Sequence, residues 1–495
     1  MTSRPASRPS VILFLSDDQG EWAMGCSGNR ELHTPGLDRL AASGLRFDHF
    51  FCTSPVCSPA RASLLTGRIP SRHGVHDWIR GGNTPGDHSG SGAPIEYLAG
   101  QSGYTDVLAQ HGYACGLSGK WHLGNSLRPQ KGHTFWEVHA GGGGPYYHAP
   151  MIRDGRVYDE PRYVTDAITD NAIGFLETQK AAAAPFYLGV HYTAPHSPWD
   201  REHHPAEIYD DYYRNCPFAS VPRETPHPWQ INSAPLGHTD EARRGVLSGY
   251  FAAITAMDRN VGRVLDWLER AGMRQNTLVI FTSDNGMNMG HHGLYGKGNA
   301  SFPFNMFDTS VKVPMLISMP GCVPAGGVCH DLLSQYDVRP TLLDFAGLPD
   351  PGARQLPGRS FAPILRGQVP GGTDAPVVVY DEYGPVRMIR DRHWKYVHRY
   401  PQGPHELYSL ADDPGETRNL YGQPGQEGRV EFLRASLGDW FARHVDPARD
   451  GAREGVTGRG QLCLAGVASR GQCTYADDWA YVSGQPREIA RVPPS

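Results

Sequence analysis

Long apolar runs are missing from this 495-residue chain. Nowhere does it hold the roughly 20 consecutive apolar residues of a membrane span. The first apolar stretch, Val11–Leu15, is cut short by Ser16-Asp17-Asp18, whereas a secretory core needs roughly 7–15 residues. The expectation is a cytoplasmic protein with no membrane partner; a processed secreted form is the alternative. A surplus of either charge is missing too: 46 Lys and Arg face 51 Asp and Glu, a formal net charge of −5. That removes any bulk attraction to nucleic acid, so an anionic substrate has to be drawn by a local basic cluster. Cysteine is scarce and odd in number, nine in all, which argues against a complete disulfide framework. Cys322/Cys329 and Cys463/Cys473 are the pairs near enough in sequence to bridge locally. No CxxC or CxxH spacing offers a structural zinc site.

What is present is an alternation of apolar strands and amphipathic helices. Val11–Ser16, Phe186–Tyr192, Thr277–Ser283 and Pro314–Met319 read as buried strands. Thr34 and Pro35 open a short helix that Gly44 ends. A long helix is predicted from Asp240 to Ala271, with Gly272 stopping it. This pattern predicts an α/β fold: a large central mixed, mostly parallel sheet with helices on both faces. After about residue 370 the texture changes to short strands with tight turns, then a helix over Val430–Arg443. The expected division is a catalytic domain over 1–370 and a C-terminal α+β subdomain with a small antiparallel sheet over 371–495. From Asp446 the chain is rich in Gly, Arg and Ala, so it reads as a loop wrapping the body or as a tail.

Two acidic pairs sit where strands end. Asp17-Asp18 follows the first strand, and Asp284-Asn285-Gly286 follows Thr277–Ser283. Such residues commonly make turns. In open α/β sheets, however, ligands bind outside the carboxyl ends of the strands. Three carboxylates and an amide oxygen form a hard oxygen set suited to Ca²⁺ or Mg²⁺.

Between them lies Ser54–Gly67, SPVCSPARASLLTG. Ser58 and Pro59 read as N-cap and first residue of a helix. Cys57 then sits at a helix N-terminus, where partial positive charge favours a thiolate or a bound anion, and Arg61 shares its face. A buried structural thiol is the plain alternative. The stretch resembles the signature of the type I sulfatases, of the alkaline-phosphatase-like superfamily. Further segments agree in order: Gly119-Lys120-Trp121-His122-Leu123-Gly124, Ala194-Pro195-His196-Ser197-Pro198, Gly293–Gly298 and Glu406-Leu407-Tyr408 with Asp413–Glu416. The second signature departs from the family at Cys115, where Ser or Thr is usual; this touches strand packing and not chemistry.

The resemblance implies that a maturation enzyme oxidises Cys57 to formylglycine, the nucleophile. Asp17, Asp18, Asp284 and Asn285, with modified Cys57, would hold one Ca²⁺. Asp284 would take a proton from the nucleophile, Arg61 would orient it, Lys120 would bond both it and the sulfate, and His196 and Lys297 would contact the sulfate, one of them protonating the leaving group. His122 would act as the base that releases sulfate. The implied function is hydrolysis of a sulfate ester on a small molecule or oligosaccharide. Alternatives are an N-sulfate hydrolase, a phosphodiesterase or phosphonate monoester hydrolase, and an inactive carbohydrate-binding relative. Candidate groups at the substrate rim are His76, Asp77, Trp78, His148, Trp199, His292 and Arg387. Aromatic and charged side chains together suit sulfated sugars, glycosaminoglycan fragments among them.

Overall fold

The apolar run beginning at Val11 cannot face water on either side, and it becomes β1 (Ser10–Ser16), buried along its whole length. The computed structural model describes residues 8–87, 92–182, 184–368 and 379–477. The expected boundary at 370/371, the strand residues Val377 and Val378, and the tail from 478 lie outside the described residues.

Around β1 the sheet is built from β2 (Leu45–Phe47), β3 (Ala114–Lys120), β4 (His133–His139), β5 (Ala149–Arg153), β6 (Arg156–Glu160), β7 (Phe186–His191), β8 (Thr277–Ser283), β9 (Met315–Ser318) and β10 (Gly327–Cys329). Their order across the ten-stranded sheet is β10-β2-β9-β8-β1-β7-β3-β4-β5-β6. The central run β8-β1-β7-β3-β4 is parallel, and β5 and β9 run against their neighbours. In register, Ser16 at the tip of β1 pairs with Ser283 at the tip of β8, so the two acidic pairs leave the same edge side by side.

Alternation along β1 feeds both faces. Val11, Leu13 and Leu15 pack on one side with Ala60, Ala62 and Leu64 of α2 (Cys57–Thr66). Ile12 and Phe14 pack on the other with Leu37 of α1 (Pro35–Ala42), Ile168 of α3 (Val164–Ala182) and Phe251 of α4 (Asp240–Arg270). Helix α4 starts where Thr239 accepts the Ala242 N–H (3.2 Å) and stops before Gly272, whose φ of +70° suits glycine.

The C-terminal part is a four-stranded antiparallel sheet of β11 (Val379–Tyr383), β12 (Val386–Arg390), β13 (Trp394–Arg399) and β14 (Glu406–Ser409). Against it, α5 (Glu427–His444) buries Leu433, Leu437 and Phe441 over Ile389, Tyr396 and Leu407. All nine cysteines are free thiols, so neither local pair is bridged; Cys463 Sγ instead points at backbone carbonyls. Among the described residues no helix is long and apolar enough to cross a membrane.

Candidate active site

Helix α2 begins two residues earlier than its sequence suggests. Val56 is the N-cap and Cys57 already lies in the first turn, so the expectation of a Ser58 cap is corrected. Ser58 Oγ is engaged elsewhere: it donates to His122 O (3.0 Å) and accepts from Ile79 N (2.9 Å). That tie fixes the segment after β3 and the loop carrying Ile79 onto the cysteine helix. Cys57 is 2% exposed, and Arg61, four residues on, lies on its side of the helix.

Strand tips deliver the acids. Asp18 adopts φ +66°, outside the ordinary L-residue range. It is held there by its N–H donating to Asp284 Oδ1 (3.2 Å) and its carbonyl accepting the Tyr250 hydroxyl (2.9 Å). Atoms of Asp17, Asp284 and Cys57 come within 4.8 Å of one another. Each acid meets a cation. Lys120 Nζ, wholly buried, donates to Asp17 Oδ2 (2.5 Å), and Lys297 Nζ to Asp18 Oδ1 (2.6 Å). Arg61 Nε donates to Asp284 Oδ2 (2.8 Å) and its Nη1 to Lys120 O (3.0 Å). Burial raises the Asp17 carboxyl, opposed by Lys120. Burial acts on Asp18 as well, but Lys297 and His196 hold it below the carboxylate range. For Asp284, Arg61 and Lys120 likewise outweigh burial and leave it low. Burial pushes the Cys57 thiol up, against the pull of Lys120 and Lys297.

The donors fit a hard divalent cation. Asp17 Oδ1 and Asn285 Oδ1 are buried oxygens without a hydrogen-bond partner, a costly state that a metal would relieve. Asn285 is oriented for this, because its Nδ2 donates to Asp18 Oδ1 (2.8 Å) and leaves the carbonyl oxygen free. With Asp17, Asp18 and Asp284 facing Arg61, Lys120 and Lys297, a bound divalent ion would make the centre net positive, which would suit an anionic ester.

Two histidines flank Cys57. His122, at φ +54°, has Nε2 2.8 Å from Ile79 O, so the proton resides on Nε2 and Nδ1 is left as an unpartnered acceptor. Burial and the nearby Lys120 keep this ring neutral. His196 turns Nδ1 to Ser197 O (2.7 Å) and Nε2 towards Asp18 Oδ2 (3.7 Å); burial moves it down to about 4, with Asp18 opposing. Gln335, which no motif signals, braces the site: it donates to Asp284 O (2.7 Å) and accepts from Thr53 N (3.2 Å).

A cavity of about 430 Å³ opens over Cys57, His122, His196 and Lys297, within the usual range for small-molecule sites. Its outer wall is Trp78, Gly142–Gly144, Ser197, Pro198, Ser233, Pro235, Asn299 and Gly458. Of the rim candidates, only Trp78 reaches it. Asp77 is turned inward by the Tyr383 hydroxyl (2.8 Å) and Gly460 N (3.1 Å), and His76 is wholly buried. Trp199 donates to Pro195 O (2.8 Å) and packs edge-on to Tyr250. Arg387 pairs with Glu382 and Asp450 and lies over Phe441. His292 stacks on Phe307 at 3.8 Å, and exposed His148 pairs with Asp159. Asn299 and Ser197 stand beside recognisable motif residues; Ser233, Pro235 and Gly458 carry no local signal.

The family model described as Sulfatase matches residues 9–348, and one described as N-sulphoglucosamine sulphohydrolase, C-terminal, matches 290–441. The chain is 28% identical to the N-acetylglucosamine-6-O-sulfatase of Bacteroides thetaiotaomicron, over 89% of this chain and 87% of that one. It is 32% identical to the N-acetylgalactosamine-6-sulfatase of Canis lupus familiaris, over 75% and 68%. A structure solved with its substrate D-glucosamine-2-N,6-O-disulfate superposes with a TM-score of 0.75 at 24% identity, covering 90% of this chain and 100% of that one. That likeness is one of fold.

Proposed function

Because the chain belongs to the sulfatase family and hydrolyses sulfate esters, we propose that its substrate is a sulfated carbohydrate and that Cys57, as formylglycine, is its nucleophile. The observation that carries this is the convergence of Cys57, Asp17 and Asp284 within 4.8 Å, beneath a cavity lined by Lys297, His122 and His196. The two curated relatives named above, one acting on N-acetylglucosamine and one on N-acetylgalactosamine by their names, support a sugar substrate.

Asp17, Asp18, Asp284, Asn285 and residue 57 would hold a divalent cation such as Ca²⁺. Bound there, such a cation would supply charge to offset the ester and to acidify a hydroxyl of the hydrated formylglycine nucleophile. The protein's own groups do the remainder. Arg61 and Lys120 fix the acids through their buried pairs, so that these hold position as charge moves. Lys297 Nζ, 3.7 Å from Cys57 Sγ, is placed for a sulfate oxygen. Lys297 Nζ is the group placed to protonate the leaving oxygen, and His196, neutral with its proton on Nδ1, lines the same cavity. His122 Nδ1, neutral and unpartnered, accepts the proton whose removal releases sulfate, a role typically worth about 10²–10⁴-fold.

The test is sulfate release from a panel of sulfated monosaccharides, with and without EDTA. Release that chelation abolishes and Ca²⁺ restores supports the reading; EDTA-resistant turnover overturns the metal assignment. The match to the N-sulphoglucosamine sulphohydrolase C-terminal model favours an N-sulfate as second reading, and N-sulfated glucosamine belongs in the same panel.

A further inference from the structure

Residues beyond 441 lie outside both family matches, yet they return to the cavity. After α5, Gly451 N donates to Ser71 Oγ (2.8 Å) and Asp450 pairs with Arg387. The chain then runs beside residues 76–81. Gln461 N donates to Trp78 O (2.8 Å), and Arg80 N and Gly81 N donate to Gln461 O (2.9 and 3.1 Å). The wholly buried Gln461 side chain accepts from His76 N (2.9 Å) and donates to Gly74 O (3.0 Å). Gly458 O receives the Trp78 indole N–H (3.2 Å) and Asn299 Nδ2 (3.0 Å). At Gly458, φ is +74° and an added Cβ would stand 2.8 Å from the Phe304 ring, so a side chain is excluded. The clamped segment also carries Ile79, which orients His122 and is tied to Ser58.

We propose that residues 457–461 form a specificity strap, fixing Trp78 and Gly458 as a wall for an uncharged sugar ring that carries one sulfate as its only anionic group. The inference rests on the sulfatase reading. Past the reacting end, the described cavity wall holds no charged side chain. A second sulfate or a carboxylate on the enclosed ring would lose its water without gaining a cation. An indole face and backbone groups suit the apolar face and hydroxyls of a sugar.

The matured enzyme is assayed on 4-nitrophenyl sulfate, N-acetylglucosamine 6-sulfate and glucosamine 2-N,6-O-disulfate. The expected result is kcat/KM at least about tenfold higher for the singly sulfated sugar than for the disulfated one. Trp78→Ala and Gln461→Ala should each raise KM for that sugar about tenfold and narrow the preference. Trp78→Phe, which keeps a ring and loses the bond to Gly458, should fall between, with thermal melting as the fold check. Equal turnover of the two sugars overturns the strap, as do folded Trp78→Ala and Gln461→Ala enzymes with unchanged sugar KM. No turnover of any of the three substrates overturns the sulfatase reading itself, and the strap with it.

Discussion

Cys57 is buried at the head of α2 with Lys297 Nζ 3.7 Å from its sulfur, and its replacement separates chemistry from folding. Cys57→Ser should reduce sulfate release about 10³-fold or more with an unchanged melting midpoint; residual activity near wild type would remove the nucleophile assignment. Lys120 makes a different case, because its ammonium and Asp17 are both fully buried. Lys120→Met removes that carboxylate's hydrogen-bonded cation and leaves it only Arg61 Nη2 at 3.9 Å, a loss of about 3 kcal/mol. Added Ca²⁺ should recover part of it by binding the native state; a deficit independent of Ca²⁺ would argue against a cation beside Asp17. The residues that converge around Cys57 were legible in sequence because each lies in a short contiguous motif, most of them at a strand tip or helix start. The rim residues were not. Whether Asp77, Trp199 or Arg387 faces the cavity depends on partners far along the chain, Tyr383, Tyr250 and Asp450 among them.

Among the elements, the central strands were readable because runs such as Thr277–Ser283 are apolar on both faces. The start of α2 misled because Ser58, an ordinary capping residue, serves a long-range tie between α2, Ile79 and His122. Ser58→Ala should therefore lower kcat about tenfold through a misplaced His122, while costing only about 1 kcal/mol of stability. Loss of stability with kcat intact would mean that the hydroxyl serves packing alone.

For the whole molecule, buried neutral histidines set the acid limit. Burial lowers His133 and His139 to about 4 and His204 to about 3, each opposed by a hydrogen bond to a backbone carbonyl. Their folded values lie below the unfolded value of about 6.5, so the unfolded chain binds more protons on acidification. Their stabilisation is complete above about pH 6.5 and is lost as pH falls towards 4, at up to about 1.4 kcal/mol per pH unit for each. His133→Gln should flatten the melting-temperature profile between pH 6.5 and 4; an unchanged slope would show that His133 is not held neutral. The return of residues 458–461 to the site was illegible for a related reason: backbone hydrogen bonds to 76–81 leave no pattern in side-chain identity.

The proposed chemistry stands or falls on residue 57. The tryptic peptide Phe47–Arg61, taken from enzyme that releases sulfate from N-acetylglucosamine 6-sulfate, can be weighed. Specific activity should rise in proportion to the fraction of peptide about 18 Da lighter than the thiol form, the change expected for cysteine converted to formylglycine. Full activity in a preparation whose peptide carries only the unmodified thiol would contradict it.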